Sequence, residues 1–199
     1  MNLRGRAFRA VAMGASVGGL SAMSEVLSKL RPDFSLPILL VQHLSPDSDS
    51  AYVEQVAKQT SLLVKEAEEK EHVQPGVVYT APPNYHLMVE PDASLALSVE
   101  DRVSYSRPSI DVLFESAAWV YGPALAAVLL TGGNHDGAQG LALVRERGGL
   151  AVVQDPGEAQ CAIMPQAALD QAGADAVLGL SAIAELLNSL QDAHEGAGA

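Results

Sequence analysis

The chain has 199 residues, 48% of them hydrophobic, enough to bury one substantial core and short enough to form a single domain. Its 24 Asp and Glu against 12 Lys and Arg leave a formal net charge of -12, which repels phosphate backbones, so nucleic acid is not an expected partner. One cysteine, Cys161, excludes an internal disulfide. The opening "MNLRGRAF" lacks a secretory apolar stretch, and no run approaches the roughly 20 apolar residues that cross a bilayer, so a cytoplasmic location without membrane insertion is expected.

Continuous apolar runs separated by helix-like stretches predict strands buried on both faces, hence a doubly wound, mainly parallel α/β sheet with helices on either side. "FRAVAMGAS" reads as a strand ending in a small-residue turn. "GGLSAMSEVLSKL" follows with Leu20, Met23, Val26, Leu27 and Leu30 at helical spacing, and "SLPILLVQHLSP" supplies a second strand stopping at His43. "AYVEQVAKQTS" predicts a helix and "LLVKEA" a short strand, while "VVYTAPPNYHLMVEP" with "SLALSVE" reads as a hairpin or β-rich insertion. From "SRPSIDVLFESAAWVYG" the alternation resumes: that helix, a strand in "PALAAVLLTGGNHDGAQG", a helix in "LALVRERGG", a strand in "LAVVQDP", a helix in "MPQAALDQAG", a strand in "ADAVLGL" and a last helix in "SAIAELLNSLQ". The tail 192–199 is expected to fray.

Ligands of open α/β sheets bind outside the carboxyl ends of the strands, which points to Ser16, His43, Asp136 and Asp155. Serine, histidine and carboxylate on one sheet edge are the parts of an acyl-transfer site: imidazole takes the hydroxyl proton, and the carboxylate orients and stabilises the imidazolium. Gly14-Ala15-Ser16-Val17-Gly18 also fits G-x-S-x-G, a tight turn that exposes a hydroxyl beside helix-start amides. Other roles for Ser16 remain open at this point. It fits an N-cap of the following helix, and it fits a dinucleotide loop less well, since the second glycine and the distal acidic residue of that motif are missing. The order serine, histidine, aspartate differs from the α/β-hydrolase order.

Six segments, "GASVGG", "VQHLSP", "PGVVYTAPPNYH", "RPSIDVLFESAA", "LLTGGNHDGAQGL" and "VVQDPGEAQCAIMPQAAL", occur in the order found in the catalytic domain of chemotaxis protein-glutamate methylesterases, which the chain resembles over about residues 9–187. The resemblance implies a parallel α/β domain with Ser16 as nucleophile, His43 as base and Asp136 as acid, without cofactor or metal. It implies removal of methyl groups from glutamate γ-methyl esters on cytoplasmic helices of chemoreceptors, with release of methanol, and in some members deamidation of glutamines. The whole chain is then one catalytic domain with no room for the family's N-terminal receiver. A silent relative that binds receptors or signalling partners through the same cleft is the alternative.

Two departures from the family pattern stand out. The usual T-G-M-G-x-D-G turn reads Thr131-Gly132-Gly133-Asn134-His135-Asp136-Gly137, and Val17 follows the serine where Thr or Ala is common. Among the other residues, His86 matches a family histidine and reads as a solvent-facing loop histidine, with a place lining the cleft as the alternative, and His72 and His194 read as surface residues. Ser109 and Asp111 read as a helix cap and a first-turn charge, Asp155 as a turn residue and Cys161 as packing. His135 is the rival base, expected to point away from the cleft if Asp136 points in.

Overall fold

The computed structural model describes residues 6–44 and 51–195, with side chains to residue 191. The opening five residues, the end of "QHLSP", the last four residues and the side chain of His194 lie outside the described residues. The elements are β1 (Ala10–Ala15), α1 (Gly19–Ser28), β2 (Ile38–Gln42), α2 (Ala51–Ala57), β3 (Leu63–Glu66), β4 (Val77–Thr80), β5 (His86–Val89), β6 (Leu95–Ser98), α3 (Ile110–Tyr121), β7 (Leu125–Leu129), α4 (Ala138–Glu146), β8 (Leu150–Gln154), α5 (Ile163–Gln171), β9 (Ala176–Leu178) and α6 (Leu180–Glu195). The last helix continues into the stretch expected to fray.

Seven strands form one parallel sheet in the order β3-β4-β2-β1-β7-β8-β9, and β5 with β6 makes a separate antiparallel hairpin. The chain is thus a single α/β domain. β1, β2, β7 and β8 are buried at every position, which is why they read as unbroken apolar runs. Alternate residues supply the two layers: Val11, Met13 and Ala15 pack with α1 and α6, and Ala10 and Ala12 with α3 and α4. One expectation needs correction. "VVYT" is β4, a parallel strand between β3 and β2, and only the segments after it form the hairpin.

β1 leads through α1 to β2 on one side, while its other neighbour, β7, leads through α4 to β8 on the far side. The carboxyl ends of β1 and β7 therefore flank the point where the winding reverses, the usual place for a site in such sheets. Gly14 makes room there for Ile110, the first residue of α3, to press against β1 just below the Ser16 turn.

Candidate active site

The turn after β1 is held by its backbone. The Ser16 amide donates to the Thr131 carbonyl at 2.9 Å, and the Ser16 carbonyl accepts from the Gly19 amide at 2.8 Å. Gly18, at φ 78°, is the N-cap of α1 and no side chain caps that helix, so Ser16 is not there as a cap. Its hydroxyl, on a half-buried residue, makes no hydrogen bond among the described residues. The amides of Val17, Gly18 and Gly133 likewise have no acceptor among the described residues. Three N–H groups are thus left free around the turn.

His43 follows β2 directly, and its amide donates to the Ala15 carbonyl at 3.1 Å, which sets it beside Ser16 at the same sheet edge. Its Nε2 lies 2.7 Å from Asp136 Oδ2. Asp136 is expected at a strand end, but β7 stops at Leu129, and the aspartate sits just before α4, wholly buried. There it meets the start of α3: Ser109 Oγ donates at 2.8 Å, the Ile110 amide at 2.7 Å and the Asp111 amide at 3.1 Å. A carboxylate at a helix N-terminus is in a favourable field. Since it accepts from every side, the His43 Nε2 donates to it and Nδ1 carries the lone pair. Nδ1 faces Ser106 Oγ at 3.3 Å, so the hydroxyl against the imidazole in this state belongs to Ser106 and not to Ser16.

The electrostatics separate two neighbouring carboxyls. Burial works to raise Asp136, but the His43 contact and the Ile110 and Asp111 amides outweigh it and hold the group below the ordinary carboxylate range. Asp111, whose Oδ1 accepts the Gly140 amide at 2.7 Å, is only 4% exposed. Burial first, and then the charge of Asp136, push it up to about 7. It is structural, as its position suggests, but burial pushes it toward the neutral form and away from the first-turn negative charge expected there.

Several expectations are corrected or filled in. His86 is 1% exposed and not solvent-facing, because the β5–β6 hairpin packs on α3 and turns it inward. Its Nε2 lies 3.1 Å from the Asp101 carbonyl, and its Nδ1 accepts the Ser109 amide at 3.2 Å. It braces the start of α3, on which Asp136 rests. Asn134 Oδ1 accepts the Asp136 amide at 3.2 Å, a local turn that shapes the acid's loop without the usual glycine. A Cβ at Gly133 would lie 3.4 Å from Val17 Cγ2, so these two departures face one another. His135 is exposed while Asp136 is buried, and Asp155 Oδ1 caps its own turn through the Gly157 amide at 2.8 Å. Among the described residues no group of His, Cys, Asp and Glu could hold a metal ion. Ser106 was not legible: it closes a tight turn whose central residues, Ser104 and Tyr105, both have positive φ, 49° and 64°, without the Gly or Asn that would announce it.

Residues 11–187 match the CheB methylesterase family. The chain belongs to that family. A Leptospira interrogans relative is 49% identical over 179 residues, covering 90% of this chain and 93% of its own. The protein-glutamate methylesterase/protein-glutamine glutaminase 1 of Carboxydothermus hydrogenoformans is 40% identical over 88% of this chain, and the match takes in 53% of that protein. The protein-glutamate methylesterase FrzG of Myxococcus xanthus is 38% identical, with 89% and 53% covered. The crystal structure of the Thermotoga maritima CheB methylesterase catalytic domain superimposes with a TM-score of 0.88 at 32% identity, covering 92% of this chain and 99% of that one. The CheB fold is therefore present nearly from end to end. No helix among the described residues is long and apolar enough to cross a membrane.

Proposed function

We propose that the chain is a serine hydrolase that removes methyl groups from glutamate γ-methyl esters on cytoplasmic chemoreceptor helices, releasing methanol, and that it deamidates glutamines by the same route. The observation that carries this reading is the 2.7 Å bond from His43 Nε2 to buried Asp136, with Ser16 held alongside at the carboxyl end of β1. Asp136 fixes the tautomer, so His43 Nδ1 is the base. The Ser16 hydroxyl gives its proton to Nδ1 as Oγ attacks the ester carbonyl. The free amides of Val17, Gly18 and Gly133 lie around the turn where the oxyanion develops. Collapse returns the proton to the methoxide, methanol leaves, and a glutamyl ester on Ser16 remains. Water, deprotonated by His43, then releases glutamate and restores the hydroxyl. With glutamine the leaving group is ammonia.

Ser16→Ala should cost several powers of ten in methanol release from methyl-labelled receptor. Because no cap bond is lost, the unfolding free energy from urea titration should stay within about 0.5 kcal/mol of the parent. Ser106 on Nδ1 is the feature that favours the alternative, a silent binder. Receptor binding by the parent without methanol release would establish that alternative.

A further inference from the structure

The amide of Gln42, the last residue of β2, is buried between the two residues proposed for proton transfer. Its Nε2 donates to the Ser16 carbonyl at 2.8 Å and to the His43 carbonyl at 3.0 Å, so both of its hydrogens are used. Its Oε1 is buried with no hydrogen-bond partner among the described residues. The residue as a whole is 8% exposed. That oxygen is pressed against Gly19, the first residue of α1, where a methyl group would collide with it and with Ala15 Cβ. Turning the amide over would set Oε1 against two carbonyl oxygens, so the orientation is forced. A buried unsatisfied acceptor is uncommon in folded proteins, and an apolar side chain of similar size would remove it.

We infer that Gln42 is a positioning residue that fixes the Ser16 turn and the His43 backbone in one register through a single amide nitrogen. The two strands are already paired up to Ala15 and Gln42, and the His43 amide extends the ladder by one bond. Beyond that point the chains diverge, Ser16 into the α1 turn and His43 toward Asp136. The Gln42 amide is the described cross-link that reaches past the divergence to both carbonyls. The orphaned Oε1 follows from this double donation, since the same plane cannot also turn its oxygen to a donor. The catalytic consequence rests on the hydrolase reading above, because misplacing a nucleophile by about 1 Å from its base costs on the order of a hundredfold.

The test uses the intact chain, a fluorophosphonate probe with peptide mapping of the labelled serine, and hydrolysis of a γ-methyl ester. Gln42→Glu keeps the shape and removes both N–H groups, and Gln42→Leu removes the polar group altogether. Each should label Ser16 about 10–100-fold more slowly than the parent and lose kcat to the same degree, with KM within about twofold. Gly19→Ala, which displaces the same amide without altering it, should give a loss of the same kind and serves where a Gln42 variant does not fold. Labelling and kcat within twofold of the parent in the folded variants would overturn the inference. Labelling of the parent at a serine other than Ser16 would instead overturn the hydrolase reading.

Discussion

Two buried carboxyls share the start of α3, and the donors around each decide which keeps its charge. Asp136 accepts from His43, Ser109 and two helix amides and is held below 3.8, so its contribution to stability is present above that value and lost as pH falls through its lowered folded value. Asp111 runs the other way. Its folded value near 7 exceeds the unfolded 3.8, so the stability it contributes is full below 3.8 and is lost as pH rises through 7. Asp111→Asn keeps an acceptor for the Gly140 amide and cannot ionise. In urea titrations it should gain on the parent by about 1–4 kcal/mol between pH 4 and pH 8. A parent that gains on the variant over that range would contradict the assignment. Ser16 and His43 were conspicuous because strand ends and small-residue turns leave a mark on local sequence; Asp136, placed at a strand end by the same reasoning, lies beyond β7, just before α4. Ser106 and Gln42 were not, since their importance comes from what lies across the fold from them.

The starts of α3 and α4 hold one another. Asp136, before α4, accepts the amides of α3, and Asp111, in α3, accepts the Gly140 amide of α4. Close approach is what permits this exchange: a Cβ on Gly140 would lie 2.6 Å from Phe114 Cβ and 3.0 Å from the Asp111 carbonyl. Gly140→Ala should therefore cost about 1–3 kcal/mol in urea, and because the shift is passed to the loop carrying Asp136, kcat should fall with it. An unchanged urea midpoint would show that the two helices have slack between them. Most elements could be read from their period, since strands covered on both faces are apolar throughout and α1 is apolar on one side. β4 escaped because "VVYT" runs straight into the hairpin segments, and only the non-local pairing with β2 and β3 separates them. The interlock of α3 and α4 has no local pattern at all.

At the scale of the whole molecule, the charge of -12 sets the terms of encounter. A protein segment rich in glutamate is repelled at long range, and salt shortens the reach of that repulsion to about 8 Å at 0.15 M. For an acidic receptor helix, kcat/KM should rise as ionic strength increases from low values, whereas a small neutral methyl ester should show no such slope. Equal salt dependence for both would mean that the field near the site is unlike the net charge.

The position of β1 in the sheet has a consequence for how the chain is made. It leaves the ribosome well before β7, yet it is a central strand, with Ile38 opposite Val11 on one side and Leu125 opposite Ala10 on the other. Until β7 has left the ribosome, β1 has an open edge of unsatisfied amides and carbonyls beside an apolar face. The first half of the chain cannot close its own core, so maturation waits on a partner on the order of a hundred residues downstream, a separation that makes folding slow. A nascent chain stalled before residue 125 should remain open to protease and prone to self-association, and protection should arrive once β7 and β8 are both exposed. Pulse proteolysis of ribosome-stalled chains of increasing length would show protection rising in one step after β7, rather than gradually from β1 onward.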